Sequence, residues 1–242
     1  MHGTTGPAFQ PTARSQLRRR PQRGFHDEAT VFAILDAGVM AHVGYVIDGQ
    51  PYVTPTAYWR EGRTLYWHGA AASRMLNTVA EGLPVCVTVS FLDGLIVGRS
   101  GITHSVNFRS VMAFGRARPV TDLSAKRAAM EAFIDRLYAG RNVKLRPTTD
   151  AELTAIALVE MEIEEASAKV KDTGPTDLPA DEGWSAWSGV FPVETRIGPA
   201  LAQPGSAPRE PDLAPYAVGA RLDKALTEAT AACRSPRSAS GA

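Results

Sequence analysis

Only two cysteines, Cys86 and Cys233, occur in 242 residues, and they stand far apart in the chain. No disulfide framework is expected from them, which fits a cytoplasmic protein. No apolar run approaches the ~20 residues that a membrane-spanning helix requires. Near the start there is no apolar segment of the secretory type. Charge excess is missing too, since 26 Lys and Arg stand against 25 Asp and Glu, a formal net charge of +1. That balance creates no global field toward nucleic acid or a membrane, and neither is expected as a partner. The chain has no Walker loop, no G-x-G-x-x-G turn, no H-E-x-x-H helix and no Cys-x-x-Cys pair. "GRSG" at 98–101 falls short of a nucleophile elbow, because its second glycine comes one residue early. The five histidines (His2, His26, His42, His68, His104) show no local metal spacing, so no metal site is expected.

Acid is also absent from the first 26 residues, which carry Arg14, Arg18, Arg19, Arg20 and Arg23. This segment, 1–26, reads as a basic arm that is solvated or loosely docked. At the other end, 196–242 is rich in Pro, Ala and Gly and reads as an extended tail, with one short helix near 216–232. Residues 27–195 between them carry the regular patterns. "DEATVFAILDAG" starts on Asp27 as an N-cap, sets Val31, Ile34 and Leu35 on one face, and stops at Gly38. A second helix is expected from about Ser73 to Glu81. A third follows Ser124, with Met130, Phe133, Ile134 and Leu137 in register and Gly140 ending it.

The remaining segments alternate as strands. Asp48-Gly49, Glu61-Gly62 and Asp93-Gly94 have the composition of tight hairpin turns. "PVCVTVSF" turns Val85, Val87, Val89 and Phe91 to one side, and "VEMEIE" turns Glu160, Glu162 and Glu164 to a wet face. A meander of hairpins with few crossover helices predicts an antiparallel barrel with peripheral helices, mainly β with some α.

Two stretches carry chemistry. "LYWHGAAASRML" at 65–76 runs an aromatic strand into His68, then small residues, then Ser73 and Arg74. A serine capping a helix start beside an arginine suits a phosphate, because unpaired N–H groups and a guanidinium fork converge there. An ordinary helix cap with a surface arginine is the plainer alternative. "THSVNFRSVMAFGRARPV" sets His104, Asn107, Arg109 and Ser110 at the start of a later strand, from which Arg109 and Ser110 are expected to reach the same phosphate. The alternative is an exposed edge-strand arginine.

The run from "DGQPYVTPTAYWREGRTLYWHGAAASRML" through "GLPVCVTVSFLDGLIVGRSGITHSVNFRSVMAFGRARPV" resembles the pyridoxamine 5'-phosphate oxidase-like flavin-binding split barrels, in particular their nitroimidazole-resistance branch. The resemblance spans roughly 17–195. It implies an antiparallel six-stranded split β-barrel of Greek-key type, forming a homodimer with FMN at the subunit interface. It further implies that Ser73 and Arg74 hold the flavin phosphate with help from Asn107, Arg109 and Ser110. Trp67 and His68 would line the flavin cleft, and the backbone of Val53, Thr54, Pro55 and Thr56 would run beside the ring. His68 matches the cleft histidine near the flavin's reactive face and is the catalytic candidate. The oxidases proper carry a lysine after the Ser-Arg pair where this chain has Met75, so oxidation of pyridoxamine phosphate is not expected. The function implied is an FMN-dependent oxidoreductase that passes electrons from a reduced nicotinamide or deazaflavin to a small acceptor, such as a nitro compound or quinone. The alternative is a non-catalytic module that binds flavin, F420 or haem.

Overall fold

The computed structural model describes residues 7–70, 76, 78 and 82–206. Among these residues a ring of six antiparallel strands closes on itself. Strand β2 (Met40–Ile47) pairs with β3 (Gln50–Glu61), β3 with β4 (Thr64–Ala70), and β4 with β7 (Ile156–Glu162) along its whole length. β7 meets the end of β6 (Ser105–Pro119) at Ala117–Pro119. β6 pairs with β5 (Pro84–Val97), and β5 returns to β2 at Cys86–Thr88. Three strands extend the ring: β8 (Glu165–Lys171) on β6, β1 (Gly24–Phe25) on β8, and β9 (Gly189–Pro192) on β5. This is the split barrel that the resemblance implied.

Two-residue alternation fills the ring. Val43, Tyr45, Leu65, Trp67, Val85, Val87, Val89, Val111, Ala113, Val159 and Met161 point inward and are buried together. Helix α1 (Glu28–Ala37) adds Val31, Ile34 and Leu35 to that cluster. It begins where the sequence places it, with the Asp27 carboxylate accepting from Thr30 N at 2.8 Å. Phe9, from the segment before α1, is buried in the same core and meets Phe32 edge to face. Helix α2 (Leu123–Leu137) lies outside the ring. Its Ala129, Met130 and Phe133 cover Trp59, Tyr66, Val120 and Leu158. A six-residue helix α3 (Asp150–Ala155) precedes β7 and is capped by Thr149 in a reciprocal box with Glu152. The helix expected over 73–81 and the one near 216–232 fall outside the described residues, except that Leu76 and Thr78 are helical.

Turn chemistry holds at one expected hairpin, shifts at another and fails at the third. Asp48 and Gly49 both take positive φ (50° and 78°), as a tight β2–β3 hairpin requires. In the β3–β4 hairpin the connecting pair is Gly62-Arg63, one residue later than expected, with Gly62 at φ 57°. At Asp93-Gly94 the chain does not reverse. β5 continues to Val97 with a bulge between Leu92 and Gly94, and the reversal comes in the loop before β6. Gly94 is instead a site of close approach, where an added Cβ would lie 3.1 Å from Val190 Cγ1 of β9.

The seam between β6 and β7 is the tightest point of the ring. A Cβ on Gly115 would sit 2.2 Å from the Glu162 carbonyl oxygen and 2.8 Å from Met161 Cγ. Backbone cannot yield as a side chain can. Gly115→Ala is therefore expected to cost about 3 kcal/mol, the upper end for overpacking, read as a lower urea midpoint with the slope preserved.

Candidate functional site

β3 and β4 pair from Glu61/Thr64 to Tyr58/Trp67 and then part. Before that point β3 runs on with β2, and beyond it β4 runs on with β7. Among the described residues, Val53–Ala57 and His68–Ala70 therefore present backbone edges to each other without a strand ladder between them. Unpaired N–H and C=O groups on such edges need partners, and a flat ligand with donors and acceptors on its rim can supply them. This gap in the ring is the candidate site. The expected phosphate pair Ser73 and Arg74 follows Ala70 closely in sequence but lies outside the described residues.

His68 stands on the outward face of β4 at this gap. Its ring meets Phe133 of α2 at 5.3 Å and Trp59 at 5.9 Å, both edge-on. Leu158 is its neighbour across β7. His68 Nδ1 and Trp59 Nε1 are buried and have no hydrogen-bond partner among the described residues. Burial pulls the His68 pKa below the ordinary histidine value, so the imidazole is neutral at neutral pH. A neutral, half-buried imidazole can accept a proton or donate one from its other nitrogen, and it can ligate a metal.

Trp67 does not share that cleft. Neighbouring strand residues point to opposite faces, so while His68 faces out, Trp67 faces the barrel interior and is fully buried. The same alternation separates Arg109 from Ser110. Arg109 is 0% exposed inside the ring, paired with Asp93 at 3.4 Å and lying 4.2 Å from the centre of the Phe91 ring. Ser110 is on the outward face opposite Ser90. One phosphate cannot take both side chains from this strand. Asn107 is also turned inward. It donates Nδ2–H to the Thr173 carbonyl and accepts from Thr173 N, both at 3.0 Å, which pins the chain after β8.

On β3, Val53 and Pro55 point outward, while Thr54 and Thr56 face the inner side. The Thr54 hydroxyl is bonded to Tyr45 Oη at 3.0 Å. Outward positions on Met40–Val46, Pro51–Pro55, Cys86–Leu92 and Phe108–Phe114 include no Asp, Glu, Lys or Arg. Met40, Val46, Val53, Leu92 and Met112 leave apolar surface there, with Val53 67% exposed.

Two features were missed by sequence reasoning. Asp93, read as a turn residue, is the counter-charge of Arg109, and burial pushes its pKa up against the pull of that guanidinium. The other is a cavity of about 520 Å³, which gathers Arg19, Arg20 and Arg23 of the basic segment with His104, Lys169 and Lys171. The alternation of "EASAKVK", with both lysines on one strand face, is the signal that could have found its floor.

The profile of the family described as Pyridoxamine 5'-phosphate oxidase matches residues 27–170. The flavocytochrome Anf3 from Azotobacter vinelandii is 39% identical, with a TM-score of 0.78, over 85% of this chain and 95% of that one. The FAD and heme binding protein from Mycobacterium smegmatis is 31% identical, with a TM-score of 0.76, over 81% of this chain and 99% of its own. A 5-nitroimidazole antibiotic resistance structure from Bacteroides thetaiotaomicron shares the fold at 21% identity and a TM-score of 0.51, over 61% of this chain and 86% of that one. No curated protein matches the chain.

Breaking a buried ion pair from one side strands the other charge. Asp93→Ala is expected to lower unfolding free energy by about 3–5 kcal/mol, measured by denaturant titration. His68 gives a signed pH dependence. Its folded pKa lies below the unfolded value of about 6.5, so the unfolded chain takes up the proton first as acid is added. Stability is full above that value and falls as pH drops through the window down to the folded pKa. The acid-side slope of Tm against pH is expected to shrink in His68→Gln.

Proposed function

The chain belongs to the pyridoxamine 5'-phosphate oxidase family, and on that footing we propose that it is a flavin-dependent oxidoreductase that binds a flavin mononucleotide unit in the gap between β3 and β4. One observation carries this reading. The two strands part at Tyr58/Trp67, leaving open backbone edges beside a half-buried, neutral histidine and immediately before the Ser73-Arg74 pair. The edge of Val53, Thr54, Pro55 and Thr56 offers backbone donors and acceptors to the ring. Ser73 and Arg74 are the phosphate partners, suited to the role because a hydroxyl and a guanidinium fork stand side by side in the sequence. The donor set fits FMN as the whole cofactor, and equally the flavin half of FAD. A bound flavin supplies hydride and single-electron chemistry, and the protein supplies position.

The roles of the chain's own groups follow. Phe133, Trp59 and Leu158 keep water from His68, which holds it neutral and able to pass a proton at the edge of the gap. The uncharged outward sheet face around Val46, Val53 and Met112 supports pairing with a second copy, as expected for a homodimer. Ser110, on that same face, reaches a flavin only across such a subunit boundary. The electron source is taken to be a reduced nicotinamide or deazaflavin, and the acceptor a small nitro compound or quinone. A second reading adds haem to the flavin. It is favoured by the two relatives above 30% identity, one a flavocytochrome and the other a FAD and heme binding protein.

The visible spectrum and extracted flavin of the purified chain are the first test. A protein that takes up neither FMN nor FAD overturns the proposal. Ser73→Ala with Arg74→Ala is expected to weaken flavin binding by roughly two orders of magnitude or more, since charge-assisted hydrogen bonds contribute about 1.5–3 kcal/mol each. His68→Ala is expected to keep flavin and slow its bleaching by reduced nicotinamide under nitrogen by roughly a hundredfold.

A further inference from the structure

The cavity of about 520 Å³ beside the β5–β6 loop is assembled from parts of the chain that meet on one outward sheet face. β8 supplies Lys169 and Lys171, which share a side of the strand because they stand two residues apart. β1 pairs with β8 at Gly24 and Lys169, and this pairing brings Arg19, Arg20 and Arg23 to the same place. Five formal positive charges thus meet, and no carboxylate lines the cavity. Among the described residues none of the five has an ion-pair partner. Their burial is graded. Arg19 and Arg20 are exposed, Arg23 and Lys169 are half-buried, and Lys171 is 9% exposed. The Lys171 ammonium donates to Ser105 Oγ and to no carboxylate among the described residues. Burial, then Arg23 and Arg20, push its pKa down. A buried ammonium crowded by like charge is costly, and an anionic ligand offsets that cost.

The pattern of charge narrows the ligand class. In doubly wound dinucleotide-binding domains a carboxylate accepts from the ribose 2'-hydroxyl, and an arginine takes its place where that oxygen is phosphorylated. The chemistry does not depend on the fold, and this cavity has three arginines and no carboxylate. A phosphate monoester adds about 1.5–2 negative charges to those of a diphosphate bridge, which suits five cations in one place. His104 supplies an acceptor. Its Nδ1 lies 3.0 Å from the Ser100 carbonyl oxygen and donates to it, so Nε2 keeps a lone pair for a hydroxyl or amino group. Phe108, half-buried and opposite Lys171, offers an aromatic face on which a base can stack. Two residues along β6, Ser110 pairs with Lys169. The cavity therefore adjoins the outward position that, in the proposed dimer, reaches a flavin.

We propose that this cavity binds the phosphates of a 2'-phosphorylated nicotinamide dinucleotide, the electron donor, with Lys171, Lys169 and Arg23 on the diphosphate and Arg19 and Arg20 on the 2'-phosphate. Cations that are already desolvated hold the bridging group, and the exposed pair meets the more highly charged monoester at the mouth. The assignment rests on the flavin-dependent reading for the ligand's role as donor. The binding itself uses no residue of the gap between β3 and β4, so the two can fail separately.

The experiment is calorimetric titration of the full-length protein with NADP+ and NAD+, as purified and again after loading with FMN or FAD, with flavin content measured on the same samples. NADP+ is expected to bind at least about 10-fold more tightly than NAD+, because charge-assisted hydrogen bonds to one phosphate contribute that much. Arg19→Ala with Arg20→Ala, both at exposed positions, is expected to abolish this preference and keep flavin bound. Lys171→Gln is expected to weaken both dinucleotides about 10–100-fold. Arg118→Ala, toward the far end of β6, leaves both affinities unchanged. Three results would overturn the proposal: equal affinity of the wild type for NADP+ and NAD+, wild-type binding by either cavity variant, or loss of FAD with FMN retained in those variants. The last would give the cavity to the diphosphate of the flavin dinucleotide itself. A preference for NADP+ in a protein that takes up no flavin would support the site and overturn only the flavin reading.

Discussion

Strand β6 is the constraint on which the architecture depends. Over Ser105–Pro119 it lends one edge to β5 and the other first to β8 and then to β7. That double engagement closes the ring, and Gly115 permits it because no side chain stands between β6 and the Glu162 carbonyl. With β6 fixed, β4 is drawn onto β7 along its full length and β3 onto β2. The two pulls leave β3 and β4 joined only at their hairpin end. The opening of the barrel is thus a consequence of how it closes elsewhere, and the candidate site is that opening.

A second regularity decides what each polar residue does. In a closed ring, parity along a strand separates core from surface at every step. Parity puts Trp67 in the core and His68 under α2, Arg109 in the interior and Ser110 outside. Arg109 consequently answers to Asp93 and Phe91, and Asn107 to the backbone at Thr173, so both hold the barrel together. Ligand-facing chemistry is left to outward positions and strand ends. His68 and His104 are both of that kind, and they differ in what holds Nδ1: nothing among the described residues in one, a carbonyl in the other.

Much of the scaffold was legible in the chain. Asp27 capped α1, the apolar spacing of Met130 and Phe133 turned α2 onto the barrel, and Asp48-Gly49 made the hairpin its φ preference demands. Asp93-Gly94 misled because the same pair serves a bulge. There the aspartate is drawn inward by a buried guanidinium, and the glycine admits a ninth strand. Arg109 and Ser110 do not act together, because residues adjacent in sequence on a strand point to opposite faces. Arg19, Arg20 and Arg23 were legible as charge and illegible as a site, since the lysines they meet belong to β8.

The sequence by itself determined which segments alternate, where helices begin, which turns need left-handed residues, and which family the pattern resembles. These are local properties, written in spacing and side-chain type. The tertiary structure alone decided which face of each strand became interior, which strand edges went without a partner, and which distant cations share one cavity. Those outcomes depend on register between strands far apart in the chain, where a slip of one residue would exchange core for surface.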